Sequence, residues 1–133
     1  LVCHPHPLFG GANTTKGAHS LARTFVAMGY CAFRPNFRGV GQSEGVHDEG
    51  RGETDDMLAV IEEAKRRCGD IPVALAGFSF GGFVQTRVAR RLVEGMGGTI
   101  GFASAEGQGS RFWVAFALAG AQAPGPAGGA RGA

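Results

Sequence analysis

The stretch LAGFSFGGF, Leu75–Phe83, sets one serine between two phenylalanines and follows the pair with two glycines. The apolar run Ile71–Ala76 ahead of it has strand length, and the residues from Gly82 onward carry an amphipathic pattern. Together they read as strand, tight turn and helix, with Ser79 at the apex. The spacing of Gly77, Ser79 and Gly81 fits a nucleophile elbow, in which glycines let strand and helix approach closely while the serine backbone is held strained. The amino terminus of the following helix would face the hydroxyl, and its free amides favour negative charge there. A turn of this composition also arises for tight packing or as a helix cap, so five residues leave both readings open.

The rest of the chain narrows the choice. Its 133 residues suit one domain with a modest core. A hydrophobic fraction of 44% and a charged fraction of 18% fit a globular protein, while 24 glycines point to many turns. The formal net charge is +2 and the arginines are scattered, which gives no reason to expect nucleic acid. Cys3, Cys31 and Cys68 form an odd, widely spaced set without a CxxC, which fits a reducing cytoplasm better than a disulfide framework. No apolar run reaches membrane-spanning length and no secretory leader is legible, so no membrane partner is expected. Leu1–His4 already reads as the inside of a buried strand, which predicts a chain that starts partway through a domain.

From there the pattern alternates. Leu1–His4 is broken by Pro5 and Pro7. A helix is predicted from about Thr15 to Met28, with Ala18, Leu21, Ala22, Phe25 and Met28 on one face and Gly29 as its carboxyl cap. Tyr30–Arg34 reads as a strand, and 35–52 as a glycine-rich loop. Glu53–Cys68 reads as a helix with Met57, Ile61, Ala64 and Cys68 as its apolar stripe. Acids at its start and bases at its end match the helix dipole. Ile71–Ala76 is the third strand and Gly82 to about Val93 the third helix. Strands alternating with helices imply parallel pairing through right-handed crossovers. Beyond Val93 the pattern changes to a hairpin, Thr99–Ala103 and Phe112–Leu118 around a glycine-rich turn. The remainder, Gly120–Ala133, is Gly, Ala, Pro and Gln with one Arg and is expected to be disordered.

Three segments, HPHPLFGG (His4–Gly11), PNFRGVGQSEG (Pro35–Gly45) and GFSFGG (Gly77–Gly82), together resemble the α/β-hydrolase superfamily, in particular its small bacterial dienelactone-hydrolase-like or acyl-esterase-like members. The resemblance covers about residues 1–92. It implies an α/β fold: a partial three-layer sandwich with parallel strands in the order 30–34, 1–4, 71–76. It also implies that Ser79 is the nucleophile and that backbone amides near Leu8 and at Phe80 form an oxyanion hole. The substrate implied is a small acyl compound or ester, and no cofactor is implied. Leu92–Leu118 resembles instead the carboxyl end of a sensor histidine kinase ATP-binding domain. That family's asparagine box, its DxGxG box and its glycine-rich lid have no counterpart here. The organisation expected is an incomplete hydrolase core at 1–93, a kinase-like hairpin at 94–119 and a tail at 120–133, a chimeric arrangement.

A serine hydroxyl needs an adjacent base, and the base needs an acid to orient it. In this superfamily the acid and the histidine follow the serine in sequence. After Ser79 there is no Asp and no His, and the only acids are Glu94 and Glu106. The expected activity is therefore an impaired one, with His4 and His6 as candidate substitute bases. Those two residues also face one way on an extended backbone beside Cys3, but no further ligand cluster accompanies them, so no metal is expected. The competing classes are a nonenzymatic fusion fragment or interaction module that self-associates through exposed sheet edges, and an ATP-binding remnant.

Overall fold

The computed structural model describes residues 1–117. Leu118 of the expected last strand, and the whole expected tail from Gly120, lie outside the described residues. The chain divides into two compact units, Leu1–Ala89 and Arg90 onward.

The first unit is built on a short parallel pair, β1 (Val2–Cys3) and β2 (Ala76–Gly77), with Val2 opposite Ala76 and Cys3 opposite Gly77. Side chains alternate across a strand, so the two residues of β1 serve opposite faces. Val2 packs with Ala18 and Ala22 of α1 (Lys16–Ala27), and Leu21, Phe25, Ala32 and Ala76 close round them. Cys3 faces the other way. Its thiol donates to Met57 Sδ of α2 (Arg51–Cys68) at 3.4 Å and accepts from Gln85 Nε2 of α3 (Phe80–Gly95) at 3.0 Å. Helices thus cover both faces of the pair, as the alternating pattern implied. Burial pushes the Cys3 thiol up to about 12, so it stays protonated and inert.

The three expected helices form with ends shifted by a few residues. At the end of α1, Gly29 takes φ 90° and donates to Val26 O, while Tyr30 donates to Phe25 O, the two closing bonds of a Schellman cap. Met28 falls on that cap rather than on the buried face and is exposed, a correction to the expected stripe. In α2, Met57 and Ile61 are buried as expected.

The strands fall short of their expected lengths. Tyr30–Arg34 is extended but is not a strand, because among the described residues its pairing with β1 rests on Val2 N donating to Phe33 O at 2.8 Å. That bond keeps the expected order of 30–34, 1–4, 71–76. Residues 71–75 also lack a ladder. The bonds on that side start where Leu1 meets Ala74 and Ala76, and Pro72 has no amide to give.

The tightest crossing in this unit lies between α3 and the pair. A Cβ on Gly77 would sit 2.3 Å from the carbonyl of Gly81, and one on Gly81 would sit 2.5 Å from Cys3 O and 2.6 Å from His4 O. Backbone meets backbone at both places, so nothing flexible can yield. Gly81→Ala is therefore expected to destabilise the first unit by at least about 1–3 kcal/mol, the usual cost of overpacking. Urea unfolding checks this against Gly95→Ala, where nothing lies within 4 Å.

The second unit holds the end of α3 and the hairpin β3 (Thr99–Ala105) and β4 (Gly109–Ala115), antiparallel with Thr99 opposite Ala115 and Ala105 opposite Gly109. The turn uses Gly107 and Gly109 at φ 71° and 79°. Trp113 lies over its cross-strand partner Gly101, where a Cβ would meet the indole at 2.4 Å. Phe102 and Phe112 stack at 5.9 Å.

Candidate active site

The chain leaves β2 at Gly77 and turns through Phe78 and Ser79 into α3. Ser79 holds φ at +53°, a region that non-glycine residues seldom enter, and its side chain is exposed. Phe78 N donates to Cys3 O at 3.1 Å, which ties the bend to the end of β1. Phe80 opens α3, and the first amides of a helix have no carbonyl within it to bond. The serine is thus raised at the place where strand end and helix amino terminus meet. Held strain at a positive φ costs on the order of 1 kcal/mol. Ser79→Gly is accordingly expected to raise stability by about that amount in denaturant titration, and Ser79→Ala to leave it nearly unchanged.

The loop after β1 lies against the same corner. Pro7–Phe9 makes one 3-10 turn, capped by His6, whose Nδ1 accepts from Leu8 N at 3.2 Å. The His6 ring packs on Phe80 at 4.7 Å and on Phe9 at 5.0 Å. Leu8 and Phe9 are left exposed at the tip, and Phe78 and Phe83 are exposed on either side of the serine. His6 is thereby held against Phe80, the residue after Ser79, and the Leu8 amide is engaged by His6.

His4 is a different case and corrects its listing among the substitute bases. It is wholly buried, its Nδ1 lies 2.7 Å from Pro5 O, and its Nε2 accepts from Phe37 N at 3.0 Å. Both nitrogens are committed to the backbone, which sets an Nδ1–H tautomer and leaves no lone pair for a serine proton. The residue is a brace between β1 and the loop at 35–45.

One feature went unread in the sequence. Glu53, expected only as a helix-dipole acid, is fully buried, and its carboxylate accepts from Asp48 N at 2.8 Å and Gly50 N at 2.9 Å. His47 Nδ1 comes within 3.2 Å of Glu53 Oε1, though out of line for a hydrogen bond. The His47 ring also meets His6 at 4.8 Å and Phe80 at 5.1 Å. A buried carboxylate, two imidazoles and the residue after Ser79 thus form one contiguous group. The spacing of Gly50 and Glu53, in which the N3 acid reaches back to the amide of the N-cap, is the sequence signal for it. Arg38 clamps the same loop through two 2.8 Å bonds to Asp56, its guanidinium lying where a side chain on Gly52 would go.

Residues 3–106 match the family described as X-Pro dipeptidyl-peptidase (S15 family). The chain belongs to that family. Solved structures place this S15 chain among α/β hydrolases. An α/β serine hydrolase without lid from Xanthomonas campestris matches at 42% identity and TM-score 0.66, over 68% of this chain and 42% of that one. A serine hydrolase homologue from Coxiella burnetii matches at 41% identity and TM-score 0.65, over 68% and 43%. Among curated proteins, lysophosphatidylserine lipase ABHD12 of Rattus norvegicus is 40% identical over 95 residues, 68% of this chain and 24% of that protein. An uncharacterised Rickettsia prowazekii protein is 37% identical over 71% of this chain and 40% of its own length. The S15 chain therefore spans well under half of these relatives. Its fold is a partial α/β hydrolase, as the three sequence segments implied. The resemblance of Leu92–Leu118 to a histidine kinase finds no support in these comparisons, and the family match runs through Glu106, inside the turn of the hairpin.

Burial holds the His4 pKa below its ordinary 6.5, with the bond to Pro5 O offsetting part of the shift. The folded state thus resists a proton that the unfolded chain accepts, so stability is full above about pH 6.5 and falls as pH drops toward the lower folded value. Melting temperatures across pH 8 to 5 are expected to decline on the acid side. His4→Gln is expected to be less stable throughout but to show a flatter dependence.

Proposed function

We propose that this chain carries the nucleophile half of an α/β serine hydrolase acting on esters or related acyl bonds, with Ser79 as the nucleophile. The observation that carries the reading is the exposed serine held at φ +53° between a strand end and a helix amino terminus, in a bend that only glycine permits at positions 77 and 81. Attack by Ser79 Oγ on an acyl carbon would place the oxyanion near the Phe80 amide. The Leu8 amide would become the second donor once it released His6. Each such donor is worth about 3–4 kcal/mol in enzymes where one has been removed. Exposed Leu8, Phe9, Phe78 and Phe83 around the bend suit an apolar acyl group, and the matched relatives include a protein named as a lipase.

The base is the weak part of the site. With no Asp or His after Ser79 the usual triad cannot assemble in this chain, and turnover should be slow, within the roughly 10³–10⁴-fold that oxyanion binding alone supports over water. His6, packed at a tilt on Phe80 and backed by His47 and Glu53, is a better substitute base than His4. A second reading, an interaction module that self-associates, draws on the exposed aromatic side chains Phe102, Phe112 and Trp113 of the hairpin.

Hydrolysis of a p-nitrophenyl ester of a medium-length acyl chain tests the proposal. The chain should exceed its Ser79→Ala form, and His6→Ala should remove most of the serine-dependent rate, about 100-fold being typical for a positioned base. Equal rates for the chain and Ser79→Ala would reject turnover at this serine.

A further inference from the structure

Beyond the serine site, two free cysteines, Cys31 and Cys68, share one part of the first unit. Cys31 is exposed on the extended segment 30–34, and Cys68 is the last residue of α2. The two line one apolar cleft of the first unit together with Leu1, Phe33, Ile61 and Val73, and Cys31 is near enough to Cys68 to hold the Cys68 pKa above its ordinary value. Thirty-six residues separate them in sequence, so only the tertiary fold brings them together. The third cysteine serves as an internal contrast, being buried between Met57 and Gln85.

We propose that Cys31 and Cys68 are a thiol–disulfide exchange site that takes a small disulfide of the oxidised glutathione class and closes into an internal disulfide. Cys31, the exposed partner, attacks first as thiolate, forming a mixed disulfide and releasing one small thiol. Cys68 then attacks the Cys31 sulfur, forming the internal bond and releasing the second small thiol. Two protein thiols are oxidised, one small disulfide is reduced, and the two thiol protons leave on the two released thiols. Cys68 lines the same cleft as Cys31, so the second step is intramolecular, and the neighbouring Cys31 holds the Cys68 pKa above its ordinary value, which leaves the first attack to Cys31. Lys65 lines the same cleft and offers a cation to an anionic tripeptide. The bond would join the segment 30–34, tied to β1 through Val2 and Phe33, to the end of α2.

The test is incubation of the full chain with oxidised glutathione, followed by intact-mass measurement, peptide mapping and thermal unfolding. The expected product has lost two hydrogens, carries no glutathione, maps to a Cys31–Cys68 peptide and melts higher by on the order of 10 °C. Cys68→Ser should stop at a stable glutathione adduct on Cys31, and Cys3→Ser should behave as the parent chain. A parent chain that keeps glutathione on either cysteine, forms only intermolecular dimers, or maps to a bond involving Cys3 would overturn the proposal. Closure without a rise in melting temperature would overturn the bracing of segment 30–34.

Discussion

The first turn of α3 lies so close to β1 that the carbonyls of Cys3 and His4 occupy the space a side chain on Gly81 would need. Much of the first unit depends on that approach. It fixes the direction of α3, sets Gln85 where its amide reaches Leu1 O, Cys3 Sγ and Ala76 O, and leaves the link from β2 only Phe78 and Ser79 in which to turn. A short link between two elements held this close forces a positive φ onto one residue. The strain at Ser79 is the local cost of a packing contact that stabilises the whole crossing.

Around that crossing, polar groups take the place of a large core. The sheet pair is only two residues long on each side, and it is supported by the His4 brace to Phe37, the Glu53 carboxylate holding the turn at 48–50, and the Arg38–Asp56 pair across the loop. Buried His4 and Glu53 are satisfied by backbone groups, as burial of polar atoms requires, while the part-exposed Arg38 and Asp56 satisfy each other's charge. They also place His6 and His47 against Phe80, so the features that stabilise the glycine-rich loop shape the surroundings of the serine. The hairpin obeys a separate and local rule, in which Trp113 lies across Gly101 on the facing strand and Phe102 faces Phe112.

That separate rule explains why the hairpin was legible as structure, while the resemblance of Leu92–Leu118 to a kinase finds no support in the comparisons. A helix end, a strand, a glycine turn and an aromatic strand are what any short antiparallel pair needs, and such a pattern carries little information about family. The helices were legible because their apolar spacing and caps are local, Gly29 and the dipole-matched charges of α2 being examples. The strands were less so. Whether Tyr30–Arg34 forms a ladder depends on a neighbour on each side, which periodicity within the segment does not report.

The sequence by itself determined the order of elements and the bend at Ser79, because glycine spacing and helix periodicity are properties of the chain read locally. Tertiary structure alone decided that His4 is a brace rather than a base, that His47 meets His6 and Phe80, and that Cys31 and Cys68 line one cleft. Each depends on contacts between segments far apart in sequence, and burial there changes what a titratable group can do.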